Sequence, residues 1–497
     1  MLARIQARIV GKQLEKHFPN REIEYHTATA SADRNMDINI ADSNSVGLFT
    51  KDISNKIINN KYDIAVHSWK DVPVEPSNQT EIIGTVDRGD MRDVLIVKKK
   101  SVKNKRVEKF QILSSSPRRK HNLTLHLSSL VPFHFERLTF LEVRGNIETR
   151  LRKFVTGDSD GIVMAKVAID RILNSNDYMA IDFIKGILKE HKWIILPLSI
   201  FPTAPGQGAI GIEIRNDRDD LKKIINQINN KSVFDNVLKE KDTLSKYGGG
   251  CQQKIGVSIY SKNRRTIYSL KGKTEQGKEL DIYDFIDTTS DKDYKNIPKK
   301  FLYTQDNEEN IFERIKVRNN KKIGSLENSF IHISRKNVLD DVQKIKSNNY
   351  IWTSGIKCWY HAVSLGYWVN GSSDSMGESD LNDLKFFIPN NVSKYSLTHS
   401  KAKSKNYELV TTYELKVNDD ILKNLQIEDK EYFYWMSPTQ FEIITTYYPE
   451  ILNKNHSSGF GKTYDFLRKR LPNPDEISCF LSYDHWISYY KKESNHE

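Results

Sequence analysis

The sequence predicts an α/β protein, with mostly parallel strands over its first two hundred residues and a small α+β domain after them. Three observations carry this. Apolar runs of strand length alternate with runs of helical spacing from residue 5 to 173. Near Lys231 the texture changes: a helical run over 233–246 stops at three consecutive glycines, and two alternating runs follow. The chain has 497 residues, about three domains' worth.

In chain order, 5–18 has helical spacing, 23–28 reads as a strand, 48–59 as a helix and 62–67 as a short apolar strand. Residues 120–127 suit a helix, 140–143 a strand, and 161–165 a buried strand running into a helix over 166–173. The alternating runs 254–260 and 266–271 read as antiparallel strands. Residues 286–326 are rich in Lys, Asn and Asp, and read as a linker. Beyond them, aromatic-rich strands are expected at 350–353 and 431–436.

Apolar residues make up 38% and aromatics 10% of the chain, too many for a disordered protein. No stretch approaches the roughly 18 apolar residues that cross a bilayer, and the first thirty residues lack a signal peptide's apolar core. A cytoplasmic, soluble protein is the expectation. Cys251, Cys358 and Cys479 are an odd number and widely spaced, so neither a disulfide framework nor a zinc site is expected. The 76 Lys and Arg against 64 Asp and Glu leave a net charge of +12, which fits nucleic acid, an acidic surface or acidic small molecules.

Two glycine patterns are set aside. Gly206-Gln207-Gly208-Ala209-Ile210-Gly211 spells G-x-G-x-x-G, but a strand pattern follows where the dinucleotide fingerprint needs a helix. Gly459 to Thr463 looks like the end of a phosphate loop, yet His456 stands where its first glycine belongs.

Polar turns after strands are more informative. His67-Ser68-Trp69-Lys70-Asp71-Val72-Pro73 puts Lys70 and Asp71 at a strand's C-terminal end, where open α/β sheets hold ligands. Asp71 could balance a cation or exchange a proton, and Lys70 could hold a carboxylate; a surface ion pair fits the same residues. Ser114-Ser115-Ser116-Pro117-Arg118-Arg119 suits a helix start, with Pro117 at the first helical position. Its two arginines oppose the helix dipole, a cost an anion would offset. Arg144, Gly145, Asn146 and Arg150 repeat that arrangement, and Arg171 lies on the helix after the 161–165 strand. Five arginines at three such turns point to a polyanion. Cys251 follows the three glycines, a placement that fits an exposed reactive thiol as well as a packed one.

Together these segments resemble the hydroxymethylbilane synthase, or porphobilinogen deaminase, family over roughly residues 1–290. The carriers are Gly47-Leu48-Phe49, Asp63 to Pro73, Ser115 to Arg119, Val143 to Asn146 with Thr149-Arg150-Leu151, Gly206 to Glu213, and Gly249-Gly250-Cys251-Gln252 with Ile255-Gly256. The resemblance implies a transferase joining four porphobilinogen units head to tail into a linear tetrapyrrole, with loss of ammonia. It implies a dipyrromethane cofactor joined by a thioether to Cys251, and Asp71 as the catalytic carboxylate. Arg118, Arg119, Arg144, Arg150 and Arg171 would bind acetate and propionate groups, helped by Lys70, Ser68, Ser116 and Asn146. Phe49 would belong to a segment covering the cleft, and Gln207 would lie near the hinge.

The implied fold has two domains like periplasmic binding proteins, 1–88 with 206–228 and 89–205. A third α+β domain, 229–290, carries Cys251; a linker covers 291–326 and a further α/β region 327–497. A monomer that binds no metal, nucleic acid or membrane is expected. Two departures stand out. Met1 begins inside the first helix, so the expected start lies upstream, with a strand and an Arg-x-Ser segment; and Val46 replaces a usually basic residue.

The C-terminal region resembles uroporphyrinogen-III synthase through Trp352-Thr353-Ser354-Gly355, Trp368 to Gly371, Tyr413-Glu414-Leu415 and Met436-Ser437-Pro438. An extension without activity is the other reading. For the whole chain the alternatives are an inactive module holding a small polyanion, and a nucleic-acid binder. The basic run 98–120 has ten basic residues and one acid but no interleaved aromatics, which argues against the latter.

Overall fold

The computed structural model describes residues 1–27, 48–73, 78–248, 253–286, 297–304, 311–317, 321–340, 342–377 and 384–491. It forms two compact units: Met1–Ser128, Phe133–Ser261 and Thr266–Asp284 in one, Ser129–Pro132, Lys262–Arg265 and Phe285–Glu497 in the other.

In the first unit the strands are β1 (Ala65–Ser68), β2 (Thr80–Thr85), β3 (Asp93–Val97), β4 (Arg106–Leu113), β5 (His134–Leu141), β6 (Gly161–Ala165), β7 (Lys192–Ile195) and β8 (Ile210–Arg215). They make two sheets, ordered β1-β8-β2 and β5-β4-β6-β3-β7. A third sheet, β11-β10-β9, is built from β9 (Gly256–Lys262), β10 (Arg265–Lys273) and β11 (Glu279–Phe285), preceded by the helix Lys231–Ser245. The α/β and α+β expectation holds.

Mostly parallel sheets were expected, but the five-stranded sheet is mixed and β1-β8-β2 is antiparallel. β4 runs parallel to β5 and β6, while β3 is antiparallel to β6 and β7, and β8 to β1 and β2. The cause is the chain's path. β3 and β8 each come from a strand of the other sheet, β2 and β7, through crossings at 86–92 and 196–209, and run against their neighbours there.

Local chemistry sets most elements as expected. The helix Leu2–His17 buries Gln6, Val10, Gly11 and Leu14, a stripe at helical spacing. Val10 and Leu14 join Val86, Ile210, Ile212, Ile225 and Ile228 in one core cluster, against which Ile23 packs. Through residue 27 there is no strand, contrary to the expectation for 23–28, whose last residue lies outside the described residues. The helix Pro117–Leu130 starts at its proline. The strand expected at 140–143 is β5, which ends at Leu141.

The second unit has β12 (Leu302–Tyr303), β13 (Phe312–Lys316), β14 (Phe330–Ile333), β15 (Tyr350–Thr353), β16 (Val369–Ser372), β17 (Lys394–His399), β18 (Glu408–Val417), β19 (Tyr432–Trp435), β20 (Asn455–Gly459) and β21 (Ser478–Phe480). Their sheets are ordered β13-β18-β17-β14-β15-β16 and β12-β19-β20-β21. All neighbours are parallel except β13 with β18. The stretch read as a linker therefore supplies two edge strands and the helix Lys321–Ser325. β13 escaped notice because four of its five residues are exposed, leaving no apolar face to read. No helix among the described residues is long and apolar enough to cross a membrane.

Candidate functional site

β1 ends in the short turn Trp69–Asp71, anchored by the buried Trp69 indole, which packs on Phe234 and leaves Asp71 exposed. Below it, His67 bonds Glu213 of β8 at 2.7 Å and Ser54 Oγ donates to the same carboxylate, while Gln6 donates to Ser68 Oγ at 2.6 Å. Burial lowers the Lys70 ammonium; Asp71 and Asp93 oppose that shift, and Arg119 and Arg150 reinforce it. Burial also lowers Arg150, whose field includes Arg119 and Asp71. Lys70, Asp71, Arg119 and Arg150, read from three separate stretches of sequence, thus share one electrostatic site.

Behind them stands a residue the sequence did not single out. Asp93, first in β3, is 1% exposed and binds Arg118 at 2.9 Å and Arg119 at 2.7 Å. Arg118 also donates to the Pro202 carbonyl, and Gln207 Nε2 donates to Asp93 and to the Met91 carbonyl. Burial alone would raise Asp93, but Arg118 and Arg119 outweigh it and hold the carboxyl well below the usual carboxylate range. Arg118 is therefore committed to a buried ion pair. Arg119 shares that carboxylate, but its Nε is buried and has no hydrogen-bond partner.

The other expected binders divide similarly. Asn146 spends its side chain capping the helix Ile147–Thr156, accepting from Thr149 N–H, and Arg150 Nε donates to the Gly145 carbonyl. Ser115 Oγ donates to the Val143 carbonyl and accepts from its N–H, fixing the two turns together. Ser116 Oγ lies 3.4 Å from the Arg119 N–H, and Arg144 is exposed. Arg171 donates to the Gly208 carbonyl and is lowered to about 10 by burial, against the pull of Asp170. Cys251 and the side chain of Phe49 lie outside the described residues.

The crossings explain the rejected glycine pattern. Gly206 and Gly208 have φ of +74° and +88°, and a Cβ on Gly208 would sit 2.5 Å from the Gly89 carbonyl oxygen. The glycines let the crossings touch. Beside them Arg88 pairs with the fully buried Glu240 at 2.8 Å, and Glu240 also accepts from Gly206 N–H and Ile259 N–H. That ties the crossings to the helix Lys231–Ser245.

A second network sits at the first crossing, where Lys166 bridges Asp90 at 3.2 Å and Asp170 at 2.6 Å. Burial pushes Asp170 up to about 6, and its Oδ1 has no partner. Raised above its ordinary 3.8, this carboxyl contributes stability that is complete below that value and lost as pH rises through about 6. In Asp170→Asn the fall between pH 4 and 6 is expected to flatten by roughly 2 kcal/mol, read by urea unfolding at several pH values. An unchanged slope would rule this out.

A sequence profile described as porphobilinogen deaminase, dipyromethane cofactor binding domain, matches residues 1–223. A porphobilinogen deaminase from Nostoc sp. is 34% identical over 261 residues, spanning 52% of this chain and 74% of that one. This chain belongs to the porphobilinogen deaminase family. The family likeness recurs with the enzymes of Chlorobium phaeobacteroides, 34% identical over 53% of this chain and 77% of that one, and Prochlorococcus marinus, 33% over 53% and 77%. Among solved structures, one from work on glutathione import in Streptococcus mutans aligns with 49% of this chain and 80% of its own at 14% identity, with a TM-score of 0.24.

Proposed function

We propose that this chain condenses porphobilinogen head to tail into a linear tetrapyrrole, releasing ammonia at each step, on a dipyrromethane carried by Cys251. The observation that carries the reading is one exposed carboxylate, Asp71, in the field of Lys70 and Arg150, both of which also feel Arg119. The orphaned Arg119 Nε supports the fit of the cofactor, because a buried donor without a partner suits an acidic side chain. Arg119, Arg144, Arg150 and Arg171, with Lys70, Ser68 and Ser116, would hold carboxylates. Arg118, Gln207 and Asn146 would position that set. Bound dipyrromethane supplies the pyrrole carbon from which the chain grows.

Asp71 does the charge work. Ammonia leaves the aminomethyl carbon of porphobilinogen with the C–N electron pair, and the carboxylate steadies the pyrrole cation left behind. It can then hold the proton that the new carbon–carbon bond displaces. The arginines fix the acidic side chains, so that the reacting carbon faces Asp71.

Intact mass of the denatured chain tests this. A retained dipyrromethane adduct mapped to Cys251 is expected, with Cys251→Ser lacking both the adduct and porphobilinogen consumption. Full turnover by Cys251→Ser would overturn it.

A second activity, uroporphyrinogen-III synthase, is proposed for the C-terminal unit. It is favoured by that unit's two sheets, parallel but for the edge strand β13, and by the Thr353-Ser354-Gly355 turn that ends β15 and opens the helix Ile356–Ser364. The same incubation decides it: a type III ring product supports cyclisation by the chain, and type I alone opposes it.

A further inference from the structure

We propose that Lys166 is a positioning residue for the reaction: held to the crossing 86–92 by Asp90, it fixes the helix Lys166–Leu173 so that Arg171 meets the substrate's carboxylates at a set place beside the Asp71 turn. The role given to Arg171 rests on the function proposed above; the linkage that places it does not.

The helix has eight residues, too few to hold its own form, so its place comes from what it touches. Val167, Ala168, Ile169, Ile172 and Leu173 are buried, but apolar burial is non-directional and selects no single setting. Polar contacts at the two ends do. Lys166 is 1% exposed, with Nζ 2.6 Å from Asp170 and 3.2 Å from Asp90, and its N–H donates to the Arg92 carbonyl at 2.9 Å. Arg171 donates to the Gly208 carbonyl at 2.8 Å.

The two ends meet again through the crossings. Gly89, next to Asp90, donates its N–H to that same Gly208 carbonyl at 3.2 Å. Asp90, Lys166, the helix, Arg171, Gly208 and Gly89 thus close a ring. It has no slack, since a Cβ on Gly89 would lie 2.5 Å from Val167 Cγ2.

The ring abuts the Asp71 turn. Ala209, after Gly208, accepts from the Trp69 N–H at 3.1 Å, and a Cβ on Gly206 would lie 3.1 Å from the Lys70 nitrogen. The carbonyl that holds Arg171 is therefore one residue from the carbonyl that holds this turn. Arg171 spends one N–H on Gly208, and the rest of its fork suits a carboxylate.

Placement explains the cluster better than stability does. Taking a lysine and two carboxylates out of water costs about what their attraction returns, so such a cluster chiefly selects one arrangement. The pairing is also incomplete, because Asp170 Oδ1 is buried without a partner. Lys166 further stands at the helix end that disfavours a cation.

Steady-state kinetics on the full chain test this, with rates normalised to the fraction carrying the Cys251 adduct. R171Q is expected to raise the KM for porphobilinogen about tenfold. K166M should also raise it about tenfold, with kcat within about twofold of the wild type. The double variant K166M/R171Q should match R171Q within about twofold, whereas independent sites would multiply to about a hundredfold. D90N, which frees the lysine from the crossing but leaves it bonded to Asp170, should show the same non-additivity and serves if K166M does not fold. Hydrogen exchange at Gly89 reads the ring without catalysis and should quicken about tenfold in K166M and D90N. An unchanged KM in both single variants, or multiplication in the double variants, would overturn the proposal. No consumption of porphobilinogen by the wild type, with exchange at Gly89 quickened in the variants, would instead overturn the proposed function and leave the linkage standing.

Discussion

Asp71→Asn is expected to slow porphobilinogen consumption by about 10³-fold while leaving the fold unchanged. The substitution keeps the side chain's shape and removes its charge, at an exposed position whose backbone is held by Trp69 beneath it. Little packing is lost. What goes is the anion facing the cation formed as ammonia departs, and the group able to hold a proton afterwards. General acid–base help typically contributes 10² to 10⁴, and a placed charge about as much as one oxyanion-hole donor. Asp71→Glu should recover part of the rate, since it restores the charge one methylene too far out. Loss of substrate and release of ammonia are the readouts, and a rate for Asp71→Asn within tenfold of the wild type would remove this carboxylate from the chemistry.

How far the site was legible follows from what each residue's signal depends on. Lys70 and Asp71 were readable because an apolar strand ran straight into them, and Pro117 because a proline at a helix start has a local cause. Asp93 has no such signal. Its partners lie 25 and 26 positions along the chain, and an acid opening an apolar strand looks like any strand end until the fold brings Arg118 and Arg119 to it. The direction of β3 and β8 was hidden for a related reason, because the local pattern shows a strand but not the sheet from which the chain enters it. Gly206 and Gly208 were visible as a motif yet assigned no purpose, since their cause is the approach of a second crossing at Gly89. β13 shows the same limit from the surface side. Its partner β18 defines it, while its own residues are mostly exposed. Local rules recovered elements and turns; contacts between distant segments supplied the rest.

Asp93→Asn should cost roughly 3–5 kcal/mol of stability, the range for breaking a buried ion pair from one side. The wild-type carboxylate is 1% exposed and Arg118 5%, so neutralising Asp93 leaves a guanidinium away from water with no counter-charge, facing only neutral acceptors such as the Pro202 carbonyl. The double variant D93N/R118M should recover part of the loss, because it removes the stranded cation as well. That recovery separates a charge effect from simple misfit. The pH dependence gives an independent sign. A carboxyl held below its ordinary 3.8 in the folded chain contributes stability that is present above that value and lost as pH falls toward its folded value. Wild type should therefore lose stability on acidification more steeply than Asp93→Asn, with the two curves converging below pH 4. Arg119 shares the same carboxylate, so the variant should also bind porphobilinogen less well, through an arginine no longer braced toward the site. If Asp93→Asn unfolds within 1 kcal/mol of the wild type in urea and the curves stay parallel with pH, the arginine pair is held by something other than this aspartate.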